Sequence, residues 1–559
     1  MGTRRRLVLL VLTPLAACRA IDHDLIVRGG TIYDGSGGAP FVADLAVDGD
    51  RITVVGDLTG KRARKELDAG GLAVAPGFVN VLSWATESLL VDGRALSDVV
   101  QGVTLEVFGE GWSMGPLNRR MRAALREEQS DITYDVAWRT LGGYLEHLER
   151  RGVAPNVASF VGATTLRIHE VGYEDRAPTP EELERMCVLA RRAMEEGALG
   201  VGSALIYAPA FYAETDELIA LARAVAPYGG RYVTHMRSEG NRLFEAVEEV
   251  IAIARAANAP AEIYHLKAAG EGNWDKLERV IARIEQVRAE GLDLTADMYT
   301  YVAGATGLDA AMPPWVQEGG YDAWAGRLRD PELRRRVIEE MQRPTDEWEN
   351  FFVAARPEGM LLVEFRNPKL REYVGKTLDE VAALRGTTPA ETALDLVVED
   401  GSRVGTVYFL MSEENVERQI ALPWVSFGSD AAAPAPEGVF LAANPHPRAY
   451  GNFARLLARY VRERRVIPLE EAVRKLTSLP ARTLKLRGRG SLLEGYFADV
   501  VVFEPATVQD HATFAEPHRL ATGVRHVLVN GVPVLEDGRH TRATPGRVVR
   551  GPGWIGWRD

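Results

Sequence analysis

Eight short apolar runs recur along the middle of the chain, separated by longer stretches. They are PGFVNVLS, GVTLEVFGEG, NVASFVGATT, GALGVGSALIY, GRYVTHM, AEIYHLKAAG, LDLTADMYTY and PWVSFGSDA. Parallel strands cannot be joined by tight turns and need crossovers, which helices usually supply. Leu243, Val247, Val250, Ile251 and Ala254 precede one run at helical spacing, and Leu277, Val280, Ile281, Ile284 and Val287 precede the next. Eight such units are the count of an α/β fold of the (β/α)8 TIM barrel type. The barrel is expected over residues 76–484. The stretch between the seventh and eighth runs is too long for a loop, so residues 313–415 are read as an inserted subdomain. Short alternating strands with glycine-rich turns occupy 22–75 and return over 485–559. They predict one small β domain built from both termini.

The chain of 559 residues carries 66 Lys and Arg against 78 Asp and Glu, a net charge of −12. Phosphate binding needs the opposite sign, so nucleic acid is not an expected partner. Residues 1–18, MGTRRRLVLLVLTPLAAC, have the basic, apolar and small-residue segments of a secretory signal. The apolar part is shorter than the roughly 20 residues that span a bilayer. Leu15-Ala16-Ala17-Cys18 resembles the bacterial lipoprotein signal, which implies an envelope location with a lipid anchor on Cys18. Simple secretion, with cleavage near Ala17 or Ala20, is the alternative. The other cysteine, Cys187, falls on an apolar helix face and is expected to be inert core.

In such barrels chemistry gathers at the C-terminal ends of the strands. Of ten histidines, His235 and His265 end expected strands, on neighbouring units, and Asp430 ends the eighth. Two imidazoles and a carboxylate aimed at one rim suit a catalytic zinc site with an open position for water.

The ordered motifs DLIVRGGTIYDGSG, PGFVN, GALGVGSALIYAPAFYAETDEL, YVTHMRSE, IYHLKAAGEGNW, ADMYTYVAG, SFGSDA and NPHPRAYGNFARLL resemble the N-acyl-D-amino-acid deacylases (D-aminoacylases) of the amidohydrolase superfamily. The resemblance covers essentially the whole chain after the leader. It implies a zinc-bearing barrel that hydrolyses an N-acyl amide to a carboxylate and a D-amino acid. It further implies His235 and His265 as metal ligands, Asp430 as the catalytic acid/base, and Lys267, Tyr299 and Arg448 as the groups that hold the substrate carboxylate.

The sequence departs from the family pattern at several places. The usual His-x-His after the first strand is replaced by Leu82-Ser83-Trp84, which argues for one zinc per chain. The Gly-Asn-Cys-Gly that supplies a cysteine ligand is replaced by Gly109-Glu110-Gly111-Trp112. A carboxylate can stand in for a thiolate on zinc, so Glu110 is the expected third ligand. Glu106 is the competing choice, four residues deeper on the same strand. Ala163 stands where the family's third strand has histidine. Ala305 replaces a serine, removing a hydroxyl that faces the carboxylate.

Tyr207 and Tyr212, after the fourth strand, are expected to line the substrate pocket or serve the oxyanion. Trp84 is expected to make an apolar floor. The expected reaction is hydrolysis of a linear N-acyl amide, most simply an N-acyl-D-amino acid. Alternatives are a dipeptide, a cyclic amide or another amide-bearing small molecule, and, from a different class, a degenerate envelope binding protein.

Overall fold

The computed structural model describes residues 21–557. The leader and Cys18 lie outside them. The eight barrel strands are Phe78–Asn80, Val103–Phe108, Asn156–Ser159 with Val161–Gly162, Gly200–Ala204, Arg231–His235, Ala261–Ile263, Leu294–Met298 and Val425–Phe427. Consecutive strands from the first to the eighth pair in parallel. The third strand is interrupted at Phe160, whose N–H still donates to Phe108 O at 2.8 Å. The ring closes where Asp430 N donates to Leu82 O and Trp84 N to Ala431 O, both at 2.9 Å. Val79, Val81, Leu82, Leu105, Val107, Phe160, Val233 and Tyr264 fill the interior.

The crossover helices bury the faces that their spacing marks. Leu243–Ala257 buries Leu243, Val247, Val250, Ile251 and Ala254, and Lys276–Ala289 buries Leu277, Val280, Ile281, Ile284 and Val287. Cys187 is buried on the helix Pro180–Glu195. Burial, with Glu184 nearby, raises its thiol pKa, so little thiolate forms.

The terminal β sheet joins the two ends of the chain. Ala73–Pro76 pairs antiparallel with Val500–Phe503, so N-terminal strands lie on one side of that seam and C-terminal strands on the other. Its core is built from Leu25, Val27, Leu45, Val47, Ile52, Val74, Val500, Val502 and Leu528.

Two boundaries differ from the sequence expectation. The final strand of this sheet ends at His540, and the tail beyond it crosses the base of the barrel. Val157 N donates to Arg547 O at 3.0 Å, Val549 N to Val157 O at 2.8 Å and Gly551 N to Gly197 O at 2.8 Å. The inserted unit begins at Ala303, ten residues before the expected 313. AGATG at 303–307 has no apolar alternation to announce a strand; it becomes one by pairing with Gly405–Phe409, which also pairs with Met360–Glu364. Helices including Tyr321–Arg329, Pro331–Met341 and Pro389–Asp400 complete the unit. Its own core contains Trp324, Leu328, Val337, Leu362, Leu394 and Tyr408. Among the described residues, no helix is long and apolar enough to cross a membrane.

The sixth strand places Glu262 inside the protein. Burial pushes its carboxyl from 4.5 up to about 7, against the pull of Arg231. A raised carboxyl pKa means that the native state holds the proton more tightly than the unfolded state. Its contribution to stability is therefore complete below about pH 4.5 and lost as pH rises through about 7. Glu262→Gln removes this dependence. The melting temperature of the variant relative to wild type should rise between pH 5 and pH 8; a constant difference would contradict the assignment.

Candidate metal centre

The site lies at the C-terminal rim, where four barrel strands each deliver one group. Glu110 follows Val103–Phe108 in a turn in which Gly109 has φ +110° and Gly111 φ +67°, conformations that favour glycine. This turn folds inward against the fourth strand, where a Cβ at Gly202 would collide with Gly109 O. Glycine at these places lets the Glu110 carboxylate reach the centre. His235 ends the fifth strand. His265, beyond the sixth, has φ +33°, and Asp430, beyond the eighth, has φ +48°. Such backbones cost a non-glycine residue of order 1–2 kcal/mol. At His265 the surroundings help to hold the geometry, since its N–H donates to buried Asp297 Oδ1 at 2.9 Å.

Three ligand atoms converge. Glu110 Oε1 is 2.8 Å from His265 Nε2 and 3.2 Å from His235 Nδ1, and the two nitrogens are 3.1 Å apart. All three residues are buried. The ligand atoms of a tetrahedral ion with bonds near 2.0–2.1 Å are about 3.3 Å apart, so this triangle fits zinc after slight opening. Burial and Lys267 oppose protonation of His265, yet Glu239 and Glu110 hold its pKa well above the usual range. Burial opposes ionisation of Glu110 but is outweighed by the two imidazoles, which hold it well below its usual value.

Glu239 supports His265 and faces His235 without hydrogen-bonding it. Its Oε1 is 3.0 Å from His265 Nδ1 and its Oε2 3.7 Å from His235 Nε2. With the proton on His265 Nδ1 and donated to Glu239, Nε2 keeps its lone pair for a cation. Glu239 also pairs with Lys267 Nζ at 2.6 Å. Behind it, Glu349 of the inserted unit accepts the Glu239 N–H. Burial, with Glu239 beside it, raises Glu349 to about 8.

Asp430 faces the triangle from the eighth strand. One oxygen pairs with Arg448 Nη1 at 2.8 Å and the other accepts from Trp84 Nε1 at 3.1 Å. The same indole N–H lies 3.0 Å from Glu110 Oε2. Trp84 is therefore a polar clamp between the two carboxylates, which corrects the expectation of an apolar floor. Burial, against the pull of Arg448, raises the Asp430 pKa above the usual carboxylate value. A carboxyl tuned upward is suited to take and return a proton.

The remaining expected residues divide. Tyr299 lies between two cations, with Arg448 Cζ 4.5 Å and Lys267 Nζ 5.6 Å from its ring centre. Arg448 is oriented by His446, whose Nδ1 accepts the Arg448 N–H at 3.0 Å. The carbonyl of Ala305, rather than a side chain, meets Arg448 Nη2 at 3.4 Å. Lys267 is shared with the support network, since its Nζ donates to the same Glu239 oxygen that faces His265 Nδ1. The Tyr207 ring is 5.4 Å from that of His235. Tyr212 is separate: its hydroxyl donates to Pro314 O at 2.8 Å. Glu106 is also apart from the histidines, inside the barrel, accepting from Asn80 Nδ2 at 3.0 Å.

Residues 65–535 match the profile of the Amidohydrolase family. The chain belongs to that family. It is 36% identical to the D-aminoacylase of Alcaligenes xylosoxydans xylosoxydans, over 94% of this chain and 97% of that one. This amidohydrolase also superposes, with a TM-score of 0.78 and 34% identity, on a D-aminoacylase studied for its binuclear metal centre, described as activated by one metal and attenuated by a second. That match covers 94% of this chain and all of the other. The N-acyl-D-glutamate deacylase of Bordetella bronchiseptica, complexed with zinc and a phosphonate mimic of the tetrahedral intermediate, gives a TM-score of 0.77 at 31% identity. It is covered completely by 95% of this chain. The amidohydrolase thus stands among the D-aminoacylases and related deacylases, metal-dependent hydrolases of non-peptide carbon–nitrogen bonds.

Sequence reasoning did not single out Glu239 or Glu349. Glu239 lies four residues after His235 in THMRSEG, a spacing at which a carboxylate can turn back to an imidazole, whereas Glu349 arrives from a remote segment. Glu239→Gln keeps the shape and removes the charge. Zinc affinity, measured by competition with a chromophoric chelator, should fall about 10–100-fold. Unchanged affinity would exclude the supporting role.

Proposed function

We propose that this amidohydrolase is a zinc-dependent deacylase of linear N-acyl-D-amino acids, with one ion per chain. The observation that carries the proposal is the buried triangle of Glu110, His235 and His265, faced by Asp430 through the Trp84 indole. A zinc ion held by the triangle supplies a Lewis acid for the amide carbonyl and acidifies water. The chain's own groups do the rest. Asp430, fixed by Trp84 and Arg448, accepts a proton from the attacking water as the oxygen bonds to the acyl carbon. It passes that proton to the amide nitrogen as the carbon–nitrogen bond breaks, giving a carboxylate and an amine.

Arg448 and Tyr299, with Lys267 beside them, form the cationic side of the pocket that receives the α-carboxylate. A guanidinium and an ammonium suit that anion. Tyr207 closes the other side against His235. The leader at residues 1–18 supports a place in the bacterial envelope, with Cys18 as the anchoring residue.

The first test is metal content. Purified protein without its leader should hold about one zinc per chain, with zinc lost in Glu110→Ala and His235→Ala. Two ions, or retention in both variants, would contradict this ligand set. The second test is turnover. The wild type should release amine from N-acyl-D-amino acids, and Asp430→Asn should reduce kcat by at least about 1,000-fold while keeping its zinc. Near-normal kcat in that variant would remove Asp430 from the proton-transfer role.

A further inference from the structure

The ligand triangle uses one nitrogen of His235, Nδ1. The ring's other nitrogen points away from the triangle. His235 is 5% exposed, and its buried Nε2 has no hydrogen-bond partner among the described residues. Two carboxylates stand on that side. Glu239 turns Oε1 to Lys267 and His265, and its Oε2 lies 3.7 Å from His235 Nε2. Glu349, from the inserted unit, uses Oε1 to accept from the Ser238 hydroxyl at 3.3 Å and from the Glu239 N–H, while its Oε2 is buried without a partner. One ligand atom from each of His235, Glu239 and Glu349 lies within 4.8 Å of the other two. Buried polar atoms are ordinarily paired, so two unpaired ones in a single cluster point to a ligand.

We propose that His235, Glu239 and Glu349 form a second cation site, which a first-row divalent ion enters when metal is in excess and which ties the inserted unit to the barrel. It shares only His235 with the triangle of Glu110, His235 and His265. One imidazole and two carboxylates are a donor set for zinc and its neighbours rather than for calcium or magnesium, which take oxygen ligands. Tetrahedral zinc ligands stand about 3.3 Å apart, so the three atoms close in by up to about 1.5 Å, and turning the carboxylates about their soft terminal torsions supplies most of that movement. A neutral imidazole has one lone pair. With Nδ1 on the first ion, Nε2 carries the proton, so the second ion replaces that proton, which leaves to solvent, and the ring becomes a bridging imidazolate. This exchange, together with Lys267 at 2.6 Å from Glu239 Oε1, makes the second site the weaker one. Protein purified without added metal therefore keeps one ion. The inference rests on the reading that the triangle holds zinc.

The test titrates zinc by calorimetry into protein that already carries one ion, and records anomalous diffraction at the zinc edge from crystals at both loadings. A second ion should bind at least about tenfold more weakly than the first, give a new anomalous peak on the Nε2 side of His235 and raise the melting temperature further. Glu349→Gln keeps the oxygen that accepts the Glu239 N–H and removes the anionic one. It should weaken the second ion at least about tenfold and leave the first nearly unchanged, the order of effect expected for loss of one group at a metal; its melting temperature without added zinc shows that it is folded. Saturation at one ion, a water rather than an anomalous peak between His235 Nε2 and Glu349, or a second ion that Glu349→Gln does not weaken would overturn the proposal and leave the deacylase reading intact. If both ions bind as described and no N-acyl amino acid is hydrolysed, the deacylase reading fails and this site stands.

Discussion

Glu110 places a buried carboxylate oxygen within 3.2 Å of two imidazole nitrogens that are themselves 3.1 Å apart. Lone pairs gathered so closely away from bulk water repel one another unless a positive centre lies among them. Much of the rim follows from that constraint. Glu239 fixes the outward nitrogen of His265, Lys267 balances Glu239, and Glu349 anchors the Glu239 backbone. The strained backbones at His265 and Asp430 are held in part by buried contacts, the hydrogen bond to Asp297 at one and the join to the first strand at the other. The barrel supplies the rigidity that keeps these groups from relaxing apart.

Replacement of the family's paired histidines by Leu82-Ser83-Trp84 redistributes this rim without emptying it. Leu82 enters the packed interior, and its carbonyl accepts from Asp430 N to close the ring of strands. Trp84 spans Glu110 and Asp430 with a single N–H. A neutral donor now lies between the two carboxylates. Two carboxylates that would repel each other across the pocket are thereby tied to one rigid ring. Deeper in the barrel Asn80 donates to Asp98, Glu106 and Ser429, linking the first strand to the second and the eighth.

The barrel, the sheet shared by the termini and the positions of His235, His265 and Asp430 were legible because they depend on local periodicity and on where strands end. Glu110 was legible from the glycines beside it and its place in the motif. Other features depend on contacts between distant segments. Ala303–Gly307 carries no strand signal until Gly405–Phe409 lies beside it. Glu349 reaches Glu239 across the inserted unit. Trp84 was misread for a different reason. Its size marks an apolar surface, but the direction of its indole N–H is set by where Glu110 and Asp430 lie.

The tail that crosses the barrel base bears on how the chain can be made. Its hydrogen bonds to Val157 and Gly197 involve residues some 390 and 350 positions earlier in the chain. The seam between Ala73–Pro76 and Val500–Phe503 likewise waits for the C-terminal region. A ribosome delivers residues in order, so neither contact can form until residues 500–551 have been made. Until those segments are present the barrel has an open base and the N-terminal strands an unmatched sheet edge, so completion of both layers depends on residues 500–503 and 547–551.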